Sequence, residues 1–589
     1  MCSTRDARNC DRIFNTHGGD VKEFCNLVDA LAAAPGDRPF ITFWIDEDES
    51  ETVTFAEFRN LAAGQARTLL AHDVHRGDRV ILIMPQGIAA MTAFAGAMML
   101  GAVPAFLAYP NFKVEPSKYR EGLTGVTANL RAKAVMIDQL FPDELIRHVG
   151  SGGDTKLIRA GACEGAKADL PVFECGDDDL AFIQHSAGTT GLQKGVALTH
   201  GSVLRQLEHL ARTLAIDGSN DRIYSWLPLY HDMGLIACFM LPMVCHVPVV
   251  MQSPLDWVMH PEMMLQIIGD FQCTLAWMPN FAFQFVPRRT KKSRWPECSL
   301  GSLRALINCS EPVRSSSMEE FEEAFSTLGL RQGVLQSSYA MAENVFAVTQ
   351  SDLHRKTGPA QVWADGLLFR GEQRILPVAE GTAGAIRFTS SGLPLPGNQV
   401  RIAGGSGEPV ADGEVGEIIL KSDSLFTGYY NRPDLTANAI VDGWYRTGDL
   451  GFCIARELFV VGRKKDLLIV GGENLYPQDI EEIVSGHPTI HDGRVVAMGV
   501  FNPDLGTEDI VVVAEVESEE LLANAAEIER EVRSRVVEGL GISVKTIFLK
   551  PPRWIVKSTA GKTARSSTRE KLLREHPALN TELWEAEHA

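Results

Sequence analysis

Disulfide and zinc-site patterns are missing from this sequence of 589 residues. Its eleven cysteines are scattered, odd in number and include no CxxC pair. That usage fits a reducing cytoplasm better than a disulfide framework or a structural zinc site. The N-terminal stretch carries charges and no apolar run, so we expect no secretory signal. Internal repeats and low-complexity tracts are also missing. The composition therefore predicts a cytoplasmic globular protein.

Positive charge is in short supply as well. The 56 Lys and Arg against 75 Asp and Glu give a formal net charge of -19, which argues against nucleic acid or an anionic membrane as the main partner. Residues 80–111 carry no charge at all and are long enough to span a bilayer. Two prolines and two glycines divide them, however, so the pattern predicts a buried strand, helix and strand of an α/β core. The apolar residues 235–255 are interpreted the same way, and no membrane span is expected.

The length predicts two or more domains. Residues 21–32 read as an amphipathic helix and residues 39–45 as a strand. Residues 54–71 have helical spacing, with Thr54 as the N-cap and Glu57 three positions later. Strands and helices then alternate to about residue 180, which predicts a parallel sheet with helices on its faces.

A glycine- and hydroxyl-rich loop, IQHSAGTTGLQKGV, occupies residues 183–196. Glycines let backbone N–H groups converge on one spot, while hydroxyls and the Lys194 ammonium add donors that a polyphosphate needs. The loop lies between two predicted strands, so it is not a Walker loop, which opens a helix. A flexible surface turn is the alternative interpretation. The candidate nucleotide-binding residues are Ser186, Gly188, Thr189, Thr190 and Gly191, and Lys194 is a candidate catalytic residue.

The loop resembles the phosphate loop of the adenylate-forming superfamily, which includes acyl-CoA synthetases, fatty acyl-AMP ligases, luciferases and peptide-synthetase adenylation domains. The usual pattern is Ser-Gly-Thr-Thr-Gly-x-Pro-Lys-Gly, and this chain departs from it at Ala187 and Gln193. Five blocks occur in the family's order between residues 20 and 575. The resemblance implies an α/β fold: a large N-terminal domain, residues 1–464, of mixed and parallel sheets flanked by helices, and a small mobile C-terminal α+β lid domain, residues 465–589.

The resemblance also implies roles for the motif YSWLPLYHDMGL. His231 matches the residue beside the carboxylate about to be activated, although a buried histidine is often only structural. Asp232 has a rival role, because amino-acid-activating relatives hold the substrate ammonium with an aspartate near this place. The stretch LAWMPNFAFQF offers an apolar acyl pocket, or plain core; its candidate residues are Trp277, Met278 and Phe281.

Three further blocks match the nucleotide side of the family. Tyr339 offers a flat face for adenine, and Glu343 an oxygen ligand for Mg²⁺ bridging phosphates. Asp449 in WYRTGDL would take both ribose hydroxyls, with Arg463 as a second ribose or phosphate partner; a plain turn role for Asp449 is the alternative. The implied nucleotide-binding residues are Ser310, Glu311, Pro312, Ser338, Tyr339, Asp449 and Arg463.

The C-terminal part contributes a hinge and a lysine. The family hinge matches Lys465. Beyond it, residues 545–574 carry nine Lys and Arg against one acid. Within them, Lys562 of STAGKTAR matches the family's C-terminal catalytic lysine, which neutralises charge as pyrophosphate leaves; a solvated tail lysine is the alternative.

These matches imply a ligase that uses ATP and Mg²⁺ to convert an apolar carboxylic acid to acyl-AMP and then to a thioester. The acceptor is an acyl carrier protein or CoA. An insertion near residues 350–381, expected to be strand-like, resembles that of fatty acyl-AMP ligases and favours the carrier protein, whereas GGEN at residues 471–474 favours CoA. A chain with only one half-reaction, or a binding protein that lost adenylation, are the remaining alternatives.

Overall fold

The computed structural model describes residues 13–15, 21–110, 116–149, 155–160, 175–185, 194–290, 298–470, 473–502, 507–557 and 563–579. Within them no helix is long and apolar enough to cross a membrane.

A nine-stranded sheet forms the centre of the large domain. Its six inner strands run parallel, and antiparallel strands close both edges. The parallel strands are mostly apolar, as expected where helices cover both faces, except for Leu335–Ala340, which contains Gln336, Ser337 and Ser338. In spatial order the strands are Leu393–Pro394, Ala347–Gln350, Leu335–Ala340, Ala305–Asn308, Leu275–Met278, Ile223–Ser225, Val249–Met251, Pro39–Trp44 and Ser50–Thr54.

A second, fully parallel sheet has the order Val103–Phe106, Arg79–Ile83, Ala134–Ile137 and Lys156–Arg159. The uncharged residues 80–111 therefore form a strand, the buried helix Ile88–Met99 and a strand, which confirms the sequence prediction. This helix packs so closely on the helix Phe55–Ala71 that a Cβ on Gly96 would lie 2.5 Å from the Ala62 carbonyl oxygen.

The helix predicted over residues 54–71 begins and ends where the sequence indicates. Phe55–Ala71 carries the predicted capping box, in which the Thr54 hydroxyl accepts from the Glu57 amide and the Glu57 carboxylate accepts from the Thr54 amide. The other helices of this domain are Leu27–Ala32, Pro116–Leu130, Asp143–Ile146, His200–Thr213, Met233–Met240, Leu241–Cys245, Pro254–Met259, Met263–Asp270, Asn280–Arg289, Ser315–Phe325, Gly366–Glu372 and Pro433–Ala439.

The predicted helix over residues 21–32 is only half right. Val21–Glu23 is a strand paired with Ile13–Asn15, and the helix begins at Leu27. The reason is Asn26, whose side-chain oxygen accepts from the Asp29 amide at 2.8 Å and so starts the helix there.

Two antiparallel sheets complete the large domain. One joins Leu180–His185, Gly195–Thr199 and Gly428–Tyr429, so strands flank the glycine-rich loop as predicted. The other is five-stranded and is built from Asn398–Ala403, Gly416–Ser422, Trp444–Ile454, Ile440–Val441 and Glu457–Arg463.

The segment near residues 350–381 is not strand-like throughout, and that prediction was wrong in its second half. Gln361–Asp365 is a strand that pairs with Ala385–Thr389. The helix Gly366–Glu372 follows because the Asp365 carboxylate accepts from the amides of the next residues, Leu367 and Leu368. Residues 374–381 form only single bridges.

The chain after Leu468 has an apolar core of its own. Its elements are the paired strands Leu468–Val470 and Glu473–Leu475, the sheet Ile490–Asn502, Thr507–Val516 and Thr546–Lys550, and the helices Pro477–Ser485, Ala525–Leu540 and Arg565–Glu575. A large α/β domain with parallel sheets is thus followed by a smaller α+β domain, which confirms the predicted fold class.

Candidate active site

Asp449 and Arg463 face each other across neighbouring antiparallel strands, Trp444–Ile454 and Glu457–Arg463. Arg463 Nε lies 3.4 Å from Asp449 Oδ1, and the Tyr339 hydroxyl donates to Asp449 Oδ2 at 2.6 Å. Burial raises the pKa of Asp449, while the Arg463 charge and the Tyr339 hydroxyl act in the opposite direction. The five-stranded sheet and the nine-stranded sheet therefore bring a carboxylate, a guanidinium and a phenol together at one point.

Tyr339 belongs to the strand Leu335–Ala340, and little of its ring is exposed. The hydroxyl of the preceding residue, Ser338, is buried and donates to the Thr349 carbonyl at 2.7 Å. A nucleotide contact through that hydroxyl would require this bond to break. Ser338 as a nucleotide-binding residue stays a prediction.

Glu343 lies just beyond that strand and faces two tyrosines. The Tyr429 hydroxyl donates to Glu343 Oε1 at 2.7 Å and lies 3.3 Å from the Tyr445 hydroxyl. The Lys194 ammonium sits 4.6 Å from the centre of the Tyr429 ring. The sequence patterns single out neither tyrosine. Of the two, Tyr445 was easier to predict from the sequence, because it lies in the motif WYRTGDL, four residues before Asp449.

The chemistry of Glu343 fits one kind of metal site. No group of three or more metal-capable side chains occurs within the described ranges. Mg²⁺ commonly uses one or two carboxylates together with substrate phosphates rather than a cage of protein ligands. A lone, oriented carboxylate beside a lysine is compatible with such an ion.

His231 and Asp232 form a pair at the start of the π-helix Met233–Met240. His231 Nδ1 lies 2.7 Å from Asp232 Oδ1, and the same carboxylate oxygen accepts from the Met233 amide at 2.8 Å. Both groups are mostly buried. Asp232 therefore caps the helix and orients the imidazole.

The loop after the strand Ala305–Asn308 contains Ser310, Glu311 and Pro312. Ser310 has a φ of 71°, in the left-handed region. Glu311 Oε2 accepts from the Phe281 amide at 2.9 Å, so the loop is tied to the helix Asn280–Arg289. Pro312 is exposed. Nucleotide binding by these three residues stays a prediction.

The candidate acyl-pocket residues are only partly brought together. Trp277 and Met278 are buried in the strand Leu275–Met278, whereas Phe281 is 36% exposed. Phe281 belongs to an aromatic cluster with Trp226, Trp257 and Phe285, in which the two indoles stack at 3.6 Å. The sequence patterns did not single out that cluster.

The predicted hinge residue Lys465 lies in the single helical turn Lys464–Asp466, directly after the strand that ends at Arg463. Partial burial and the Arg463 charge lower the pKa of Lys465. The next residue, Asp466, accepts from Arg565 at 2.8 Å, and Arg565 also binds Glu481. The segment that contains the predicted hinge residue is therefore tied to the first residue of the helix Arg565–Glu575.

Several predicted residues lie outside the described part of the chain. Their neighbours are nevertheless placed: Lys194 ends the glycine-rich loop, and Lys557 bridges to Thr563 on either side of Lys562. The small domain also contacts the large domain through the strand Ile490–Asn502. Asp492 of this strand, two residues before Arg494, forms a salt bridge with Arg288 of the large domain. The predicted residues outside are Ser186, Gly188, Thr189, Thr190, Gly191 and Lys562.

Comparisons with known proteins found similar sequences and a similar fold. The family profile described as AMP-binding enzyme matches residues 28–430. The sequence is 28% identical to a 4-hydroxyphenylalkanoate adenylyltransferase of Mycobacterium marinum, over 93% of this chain and 91% of that protein. It is 29% identical to a medium-chain-fatty-acid–[acyl-carrier-protein] ligase of Moorena producens, over 90% and 91%. A solved structure from a study of fatty acyl-adenylate ligases of E. coli and L. pneumophila superposes with a TM-score of 0.86 at 26% identity, covering 94% of this chain and 98% of that one.

Proposed function

Because this chain belongs to the AMP-binding enzyme family, we propose that it is an ATP-dependent ligase for an apolar, fatty-type carboxylic acid. A carboxylate oxygen attacks the α-phosphate, giving acyl-AMP and pyrophosphate. A phosphopantetheine thiol then attacks the acyl carbonyl and releases AMP. The observation that carries the proposal is the convergence of Tyr339, Asp449 and Arg463 with Glu343 and Lys194 at one end of the sheets.

Each of these groups suits one part of ATP. The two oxygens of Asp449 accept from ribose hydroxyls, and Arg463 holds the ribose or the phosphate. The Tyr339 ring offers a face to adenine, near the 310–312 loop. Glu343 holds Mg²⁺, which neutralises phosphate charge, and Lys194 supplies a cation on the same side. Catalysis is then mostly positioning and charge neutralisation.

His231 is proposed to align the attacking carboxylate. Its imidazole is fixed by Asp232, so it meets a substrate in one orientation. The rival role for Asp232, binding a substrate ammonium, loses support because the carboxylate is engaged by His231 and by the Met233 amide. An acid without an amino group is therefore the favoured substrate class.

The proposed acceptor is an acyl carrier protein. The helix Gly366–Glu372 of the insertion touches the small domain, where the rings of Phe369 and Tyr476 stack at 5.5 Å. The Gln373 side chain donates to the Tyr476 hydroxyl at 3.2 Å. These contacts hold the small domain against the insertion and so oppose the rotation that a CoA-using ligase makes. The Moorena relative is named for a carrier-protein acceptor.

The purified protein, given ATP, a fatty acid and free CoA, should release acyl-AMP with little acyl-CoA, and should load a holo acyl carrier protein. Phe369→Ala should raise acyl-CoA output, because it removes the stacking partner of Tyr476. Leu367→Ala is the matched control, since Leu367 is 75% exposed on the same helix.

The alternatives give different results in the same assay. Efficient acyl-CoA turnover by the unmodified protein would overturn the carrier assignment and leave the adenylation chemistry intact. A protein that makes thioester only from supplied acyl-AMP would keep one half-reaction. The absence of both pyrophosphate exchange and thioester formation would favour the non-catalytic binding protein.

A further inference from the structure

Tyr429 lies between two groups that the proposed function needs. It ends the short strand Gly428–Tyr429, which pairs with the strand that follows the glycine-rich loop, so that Tyr429 stands opposite Val196. Its hydroxyl donates to Glu343 Oε1 at 2.7 Å, and the Lys194 ammonium lies 4.6 Å from its ring centre. One buried side chain thus touches both the candidate metal ligand and the candidate phosphate-binding lysine.

The surrounding backbone fixes this arrangement. The Tyr429 amide donates to the Thr436 hydroxyl at 2.9 Å, and the Tyr430 amide donates to the Gly195 carbonyl at 2.7 Å. The Phe426 amide donates to the Glu343 carbonyl at 2.9 Å. The backbone segment that carries Tyr429 and the one that carries Glu343 are therefore both held in place. The Tyr429 hydroxyl accordingly has little freedom to turn away from Glu343.

The Tyr429 hydroxyl is an uncharged phenol and is the donor in its 2.7 Å hydrogen bond to Glu343. Since it occupies Oε1 of Glu343, the second oxygen, which no described residue binds, is left for a ligand.

We propose that Tyr429 is a positioning residue, an inference that rests on the proposed function. Its hydroxyl orients the single carboxylate that holds Mg²⁺, and its ring steadies Lys194 beside the phosphates. The two actions belong to different atoms of one side chain, so they can be separated by substitution.

Tyr429→Phe removes the hydroxyl and keeps the ring. Its affinity for ATP in EDTA, measured by calorimetry, should equal that of the unmodified protein. The Mg²⁺ concentration that gives half the maximal gain in ATP affinity should rise roughly tenfold, the loss expected for a hydrogen bond to a charged group. The Mg²⁺ concentration that gives half-maximal pyrophosphate exchange should rise by the same factor.

Tyr429→Leu removes the ring as well. It should bind ATP several-fold more weakly even in EDTA, because Lys194 loses the aromatic face. Tyr430→Phe is the matched control: it makes the same chemical change one residue away, and it should behave like the unmodified protein in both measurements.

A double-mutant cycle keeps the inference testable if Tyr429→Leu fails to fold. Glu343→Gln alone should raise the Mg²⁺ requirement, and adding Tyr429→Phe to it should add little. Full additivity would overturn the inference, as would a Tyr429→Phe protein with an unchanged Mg²⁺ requirement, or one that loses ATP affinity equally with and without Mg²⁺.

The proposed function fails in a different way. It fails when the unmodified protein neither binds ATP nor exchanges pyrophosphate with any acid, whatever the variants do. An active unmodified protein alongside an indifferent Tyr429→Phe variant would overturn only the role of Tyr429.

Discussion

Asp449 meets Tyr339 and Arg463 through side chains that come from three separate strands. We expect Asp449→Ala to weaken nucleotide binding by about 1.5–3 kcal/mol, because charge-assisted hydrogen bonds to the ribose are lost. Calorimetry with a non-hydrolysable acyl-AMP analogue measures this. Tyr339→Phe keeps the adenine face and serves as the milder comparison. An affinity unaffected by Asp449→Ala would assign this aspartate to the turn beside Gly448.

At this scale the sequence predicted single residues better than their partners. Glu343 and Asp449 stand in recognisable local motifs, and the charges of both act on Arg463 in the structure. The Tyr429 hydroxyl binds Glu343 from 86 positions further along the chain. No local pattern encodes such a contact, because it depends on how two sheets are packed together.

Gly234 of the HDMGL block shows what the π-helix Met233–Met240 requires. A Cβ at this position would lie 2.3 Å from the Pro228 carbonyl oxygen, an atom that belongs to backbone and cannot turn away. We expect Gly234→Ala to lower the free energy of unfolding by at least about 2 kcal/mol, the cost of overpacking. Urea unfolding measures it.

The control for that substitution is Gly122→Ala in the helix Pro116–Leu130. Nothing lies within contact of the added methyl group there, so the change should be neutral or stabilising by up to about 1 kcal/mol. Equal effects at Gly122 and Gly234 would contradict the steric explanation.

Whole elements were predictable where their signals are local. The capping box of Thr54 and Glu57 lies within four residues, and the helix begins where that pattern predicts. The helix Gly366–Glu372 was missed because a short apolar run does not distinguish a strand from a helix, whereas Asp365 satisfies the first amides and starts a helix. The Phe369–Tyr476 contact then buries that helix in a way that only tertiary structure decides.

At the scale of the whole molecule, Asp479 of the small domain lies close to two arginines of the large domain. Burial raises its pKa to about 6, while Arg314 and Arg370 of the large domain act to lower it. Since an unfolded aspartate titrates near its ordinary value, the folded protein holds the extra proton between about pH 4 and pH 6. Its stability relative to Asp479→Asn should therefore fall by up to about 3 kcal/mol as the pH rises through that window.

Above about pH 7 the difference between Asp479→Asn and the unmodified protein should be constant, because Asp479 is ionised in both states. Urea unfolding of both proteins at several pH values gives the difference curve. A difference that stays flat from acid to neutral pH would mean that Asp479 is not buried between the domains.

Substitution of Lys562 tests which half-reaction depends on the small domain. We expect Lys562→Ala to abolish adenylation but to spare thioester formation from supplied acyl-AMP, because the ammonium serves only the charge that develops as pyrophosphate leaves. Pyrophosphate exchange and carrier loading report the two halves separately. Equal loss of both half-reactions would contradict this role.

The strand Glu457–Arg463 ends in the side chain that faces Asp449, and the proposed pivot Lys465 follows two residues later. A nucleotide bound by Asp449 and Arg463 thus contacts the segment that joins the small domain to the large domain. Thermodynamic linkage makes this effect reciprocal: if nucleotide occupancy biases the orientation of the small domain, that orientation must alter nucleotide affinity by the same factor. The affinity of the site for AMP would then depend on the orientation of the domain that receives the acyl acceptor, so that nucleotide and acceptor are coupled without touching each other.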